Sequence, residues 1–93
     1  MKKFDLGQVV MTRGVAEIDK NYETHKEISH CLLRHYYGDW GDLCEEDKQA
    51  NDDALKNGDR LVSAYTVGED KTTIWIITER DRSVTTILLP EEY

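Results

Sequence analysis

Apolar residues recur along this chain with two periods, and the change of period falls near Asp59. In the first half, Ile28, Cys31, Leu32, His35 and Tyr36 fall at i, i+3, i+4, i+7 and i+8, the single stripe of a helix that buries one face. Thr24 and Glu27 match a capping box, so that helix is predicted from about Thr24 to Tyr37, with Gly38 closing it. A second helix is predicted after Gly41, with Asp42 as N-cap, acids at Glu45, Glu46 and Asp47 favoured by the helix dipole, and Gly58 ending it. Its inner stripe would be Leu43, Asp47, Ala50, Asn51, Ala54 and Leu55. Two of those six places are polar.

Beyond Asp59 the period shortens to two. Leu61, Ser63, Tyr65 and Val67 alternate with Val62, Ala64 and Thr66 over a strand from Arg60 to Val67. Thr72 to Thr78 holds the unbroken apolar block Ile74-Trp75-Ile76-Ile77, the pattern of a strand covered on both faces. Ser83 to Leu89 forms a third run, stopped by Pro90. The connectors at 68–71 and 79–82 are short and polar, so these three strands should form an antiparallel meander. Ahead of the helices, the β-branched run Leu6 to Thr12 reads as a strand, and Val15 to Lys20 as a turn or two of helix dependent on packing. The expected architecture is an α+β domain, β-α-α-β-β-β, with two main helices on one face of a four-stranded, mostly antiparallel sheet.

Ninety-three residues allow one domain with one modest core. The net charge is −7, and residues 39–59, with eight acids against Lys48 and Lys56, carry −6 of it. Phosphate binding is driven by lysine and arginine, so this distribution disfavours nucleic acid as a direct ligand, none is expected, and it suits a basic protein partner. No apolar run approaches the ~20 residues of a membrane span, and Met1-Lys2-Lys3-Phe4-Asp5 does not lead into an apolar signal segment. A cytoplasmic protein with no membrane contact is expected. Cys31 and Cys44 are too few for a secreted disulfide framework, so free thiols are the default.

The stretch Gly38-Asp39-Trp40-Gly41-Asp42-Leu43 with the acidic residues behind it, then Leu61-Val62-Ser63-Ala64-Tyr65, Ile74-Trp75-Ile76-Ile77-Thr78-Glu79 and the run from Arg82 to Tyr93, resembles a family of short bacterial proteins found in chromosomes, plasmids and other mobile elements. Its members often carry the label "type I restriction endonuclease subunit M" or "plasmid-related protein". The resemblance covers roughly residues 6–93 and implies mobile-element biology, a setting in which small acidic proteins inhibit host defences; it implies no residue roles. The methyltransferase label itself does not fit. Such a subunit needs a full S-adenosylmethionine domain and a proline-containing loop for a flipped base, whereas this chain has one proline, Pro90, and no glycine-rich strand-to-helix loop.

Four groups of residues could carry chemistry. Asp47 and Asn51, one helical turn apart, either hydrogen-bond the backbone of the Gly38–Leu43 turn and hold Trp40, or line a pocket for a ligand or partner. Zinc would accept Cys31, His35 and Cys44, with Asp47 as fourth ligand, yet the spacing is no finger pattern and Cys31 and His35 also fit a core stripe; no metal and no cofactor are expected. His25, His30 and His35, at steps of five, point roughly 140° apart on a helix and cannot converge. A helical half with histidines followed by strands carrying Thr78, Arg80, Arg82, Ser83, Thr85 and Thr86 resembles in outline the small ribonuclease toxins of the barnase and colicin type, which are normally basic. The acidic tail Pro90-Glu91-Glu92-Tyr93 is either a docking peptide or a packed surface segment.

The expected function is a binding or inhibitory module. Asp42, Glu46, Asp47 and Asn51 would form its contact surface, and an exposed edge of Trp40 with Tyr37 would supply the anchor. A small ribonuclease and a small-molecule binder with a cleft near Trp40 stay open as alternatives. An edge strand in so small a sheet also leaves homodimerisation open.

Overall fold

The computed structural model describes residues 3–93. Strand β1 (Gln8–Met11) leads into helix α1 (Arg13–Ile18), then α2 (Tyr22–Tyr36) and α3 (Glu45–Asn57), followed by strands β2 (Leu61–Val67), β3 (Thr72–Thr78) and β4 (Val84–Leu88) and a 3-10 turn at Pro90–Glu92. The four strands form one sheet in the order β1-β4-β3-β2. β2, β3 and β4 are the expected antiparallel meander. β1 joins it parallel to β4, in the register Gln8 to Val84 and Met11 to Ile87. The fold is α+β, with the helices before the meander.

The alternation in the sequence sets the faces of the sheet. Leu61, Ser63, Tyr65 and Val67 lie opposite Thr78, Ile76, Ile74 and Thr72, and Ile76 and Thr78 lie opposite Ile87 and Thr85. This face is covered by α1 and α2: Val15, Ile28 and Cys31 pack with Tyr65, Val67, Ile74, Ile76 and Ile87 in one apolar cluster. A smaller cluster joins Phe4, Trp40 and Leu61, and α3 packs on it through Ala54 and Leu55. Burying these side chains is the main favourable term in so small a domain.

The helix ends differ from the predicted ones. α2 starts two residues early, and its N-cap is Asn21, whose side chain accepts from the Thr24 N–H at 3.0 Å. Thr24 is therefore the capped residue and not the cap. Glu27 reaches across to the β2–β3 turn, where it accepts from the Gly68 N–H at 2.6 Å. α3 begins after Cys44 instead of after Asp42. Asp42 cannot cap it, because its N–H donates to Ala64 O at 2.7 Å and its carboxylate accepts from the Thr66 hydroxyl at 3.0 Å.

The C-terminal segment is packed. Glu92 accepts from Gly14 N at 2.9 Å, from Leu89 N at 3.0 Å and from the Thr12 hydroxyl, while the Tyr93 ring lies 5.7 Å from Trp75 and beneath the Arg60 guanidinium. Among the described residues, no helix is long and apolar enough to cross a membrane.

Candidate functional site

The segment from Gly38 to Leu43 behaves as a short extra strand along the outer edge of β2. Asp39 N–H closes the end of α2 on Arg34 O at 2.8 Å. Its carboxylate takes two hydrogen bonds from the Arg34 guanidinium, at 2.8 and 3.2 Å, and that guanidinium holds Asp39 below the usual carboxylate range. The Tyr65 hydroxyl donates to Asp39 O at 2.6 Å. The chain then runs parallel to β2 for one bridge, Gly41 to Ala64: Ala64 N–H donates to Trp40 O at 3.3 Å and Asp42 N–H donates to Ala64 O.

One step along the same edge, the side chain of Asn51 takes over. Its Oδ1 accepts from Val62 N–H at 3.1 Å and its amide nitrogen donates to Val62 O. Asn51 is 6% exposed and is the buried residue of α3. Asp52 beside it accepts from the Trp40 indole N–H at 2.9 Å. The turn and α3 are thus fastened to each other and to β2, and the outward backbone groups of Val62 and Ala64, which an edge strand would leave open, are paired.

These contacts correct two sequence expectations. Trp40 is 3% exposed, with its ring stacked on Phe4 at 6.3 Å and edge-on to His35 at 5.6 Å, so it offers no exposed edge to a partner and no cleft to a ligand. Asn51 bonds Val62 and not the Gly38–Leu43 turn, while Asp47 points to solvent; the residue that holds Trp40 is Asp52. Of the expected contact residues, Asp42, Glu46, Asp47 and Tyr37 are on the surface, and Trp40 and Asn51 are inside.

A second polar group lies in the core, and sequence reasoning assembled it only in part. His35 is fully buried, its Nδ1 2.5 Å from the Ser63 hydroxyl and its Nε2 2.8 Å from the Thr78 hydroxyl. Thr78 meets Thr85 at 2.8 Å, and the Thr85 hydroxyl donates to Leu6 O at 2.7 Å. One ring nitrogen must donate and the other accept, as a neutral imidazole does. Burial, helped by the Arg82 charge, pushes the His35 pKa down to about 4 and keeps the ring neutral at pH 7. The signal was present in the pattern: Ser63, Thr78 and Thr85 interrupt apolar positions on the covered face of their strands, opposite a histidine in an apolar helical stripe.

That arrangement bears on the other chemical readings. Both nitrogens of His35 are taken by hydroxyls inside the core, so no RNA phosphate can reach them. Arg82 donates to Asp59 O at 2.8 Å and to Glu79 O at 3.1 Å, tying the β3–β4 turn to the α3–β2 connection. Cys31 is buried and Cys44 exposed, both as free thiols, and among the described residues no three His, Cys, Asp or Glu side chains are placed to hold one metal ion. Two surface hollows flank α2, one bordered by Glu17, Glu23, Glu27, Glu69 and Asp70, the other by Lys26, His30, Cys31 and Arg34; Trp40 lines neither.

What remains outward at the closed edge is charge. Glu45, Glu46 and Asp47 form the exposed first turn of α3, and Asp42 and Asp53 are also exposed. The cations within α3 are Lys48, 3.9 Å from Glu45, and Lys56 in the last turn. Such a surface can pair with lysine and arginine side chains and raise the encounter rate with a basic partner. Compared with protein-family models, curated proteins and solved structures, the chain matches none.

Proposed function

We propose that this chain is a small cytoplasmic binding module that inhibits a basic protein partner through Asp42, Glu46 and Asp47, and that it serves mobile elements against host defences. What supports the reading is the division of labour within α3. Asn51 and Asp52 face inward to close the sheet edge and hold Trp40, while the first-turn carboxylates have no part in the core. Eight acids against two lysines over 39–59 give this surface a negative potential that attracts a cationic partner. Tyr37, 43% exposed at the start of the turn, supplies an aromatic surface beside the charges. The mobile-element setting rests on the resemblance carried by Gly38-Asp39-Trp40-Gly41 and the segments after it.

The test is quantitative capture at two salt concentrations. The tagged chain is incubated with lysate from a plasmid- or phage-bearing host, and retained proteins and nucleic acids are both identified. A stoichiometric basic protein, released by moderate salt and lost with Glu46→Lys or Asp47→Lys, is the expected result. A partner retained equally by the charge-reversed variants at low salt, or retention of nucleic acid alone, overturns the reading.

A further inference from the structure

The two edges of the sheet are treated in opposite ways. The β2 edge is closed at Val62 by Asn51 and at Ala64 by residues 40–42, whereas among the described residues β1 pairs with β4 alone and its other side is open. All four residues of β1 are exposed, including Val9 at 40%, Val10 at 36% and Met11 at 39%. Side chains of successive strand residues point to opposite faces, so exposure of every one means that both faces are partly open at this edge. The strand is only four residues long, and within it there is no charge, no proline and no bulge to repel a partner strand.

The direction of its free groups follows from the parallel register. Gln8 N–H donates to Ser83 O and Thr12 N–H to Ile87 O, both at 3.0 Å. Alternation then aims the N–H and C=O of Val9 and Met11 away from the sheet. We propose that the occupant of this edge is a second copy of the chain, its β1 running antiparallel about a two-fold axis at Val10. Val9 of each copy then lies opposite Met11 of the other and exchanges both backbone hydrogen bonds with it, while Gln8 lies opposite Thr12. Apolar residues meet apolar ones, polar meet polar, and the two four-stranded sheets become one of eight strands.

Charge favours this occupant. In a chain of net charge −7, two copies approach most easily away from residues 39–59, which carry −6 of that charge and pack against β2, the edge farthest from β1; the carboxylate nearest β1, Glu92, is held by the Thr12 hydroxyl and the Gly14 N–H. Pairing through β1 places the acidic faces at the two ends of the joined sheet. This pairing does not depend on what those faces bind.

The experiment is the molar mass of the full chain by sedimentation across a wide micromolar range, with amide exchange measured on the same samples. The expected result is a concentration-dependent mass approaching twice the 10.8 kDa of one chain, with slow exchange at Val9 and Met11 that is lost on dilution. Val10→Lys should shift the mass to the monomer, since it places two like charges on the axis. Met11→Pro provides the second variant: it removes an N–H that makes no bond within the monomer, so a folded monomer is expected, with folding checked by circular dichroism. A wild-type chain that stays monomeric throughout overturns the proposal. So does a dimer that persists in both variants, or a monomer whose β1 amides are protected only by a peptide from another protein. Asp47→Lys, which lies outside this edge, should leave the dimer intact.

Discussion

Asn51 pairs with Val62 as a neighbouring strand would, one side-chain amide giving and taking the two hydrogen bonds that the backbone of an edge residue offers. A helix thereby does the work of a fifth strand at that position. Replacing Asn51 by Ala should leave both groups of a half-buried residue without protein partners, at a cost of about 2–3 kcal/mol. Urea denaturation checks it: the midpoint should fall with little change in the denaturant dependence.

Two glycines with nearly the same backbone conformation should respond very differently to alanine. At Gly41, φ is +77° and a Cβ would lie 2.0 Å from Ala64 O and 2.7 Å from the Tyr65 ring; at Gly58, φ is +75° and nothing lies within 4 Å. Gly58→Ala should therefore cost only the left-handed strain, about 1 kcal/mol. Gly41→Ala must push the turn off β2 and should cost about 3 kcal/mol or more, read as the difference in thermal midpoint between the two variants.

His35 should make the fold acid-sensitive well above the usual carboxylate range. Its pKa is lowered to about 4 in the folded chain against 6.5 for an ordinary solvated histidine, so between those values the unfolded chain binds more protons. Stability is then complete above pH 6.5 and falls with pH down to about 4, by about 3 kcal/mol in total. His35→Ala should be less stable at pH 7, because Ser63 loses its imidazole partner, and should lose most of the pH dependence in this window. Denaturation at pH 7 and pH 5 for both proteins separates the two effects.

The two thiols should be chemically distinct. Cys31 is buried and its pKa is pushed up to about 11, chiefly by burial, whereas Cys44 is exposed at the start of α3. A thiol reagent acting on the thiolate should label one cysteine in the native chain and the second only after unfolding. Peptide mapping should place the fast label on Cys44.

Reversing the charge of Glu46 or Asp47 should leave the fold in place. Both side chains are exposed in the first turn of α3, where an acid gains about 0.3–1 kcal/mol from the helix dipole. The expected loss of stability is of that size, visible as a thermal shift of a few degrees. Any larger loss would mean that these carboxylates support the core as well as the surface.

The three meander strands and the apolar stripe of α2 were legible because each repeats one period over several residues in agreement with its turns. Their observed ends fall within one residue of those predicted for the meander. The predicted caps failed where polar side chains had better partners elsewhere: Thr24 lost to Asn21, Glu27 went to Gly68, and Asp42 was claimed by Ala64 and Thr66. Local patterns cannot foresee such choices, since they depend on which segments fold beside one another. Trp40 looked exposed because glycines and acids surround it in sequence, and only the closure of the β2 edge puts it inside. The two polar places in the stripe of α3 gave a true signal with the wrong addressee, as Asn51 serves a strand and Asp47 serves the solvent.

The parallel pairing of β1 with β4 also has a consequence for how the chain is made. Leu6 and its partner Thr85 stand 79 residues apart, so β1, made first of the four strands, has no partner in the sheet until β4 has been made. Closing a loop of that size carries an entropic cost that local contacts do not repay, and the helices can form while it stays open. The meander, with short connections, should assemble first and wait for β1, which makes docking of the N-terminal strand the slow and final event of folding. Chains stalled before β4 is complete would present an uncharged, β-branched strand with nothing to pair against, and such nascent species are the ones for which a chaperone would matter most.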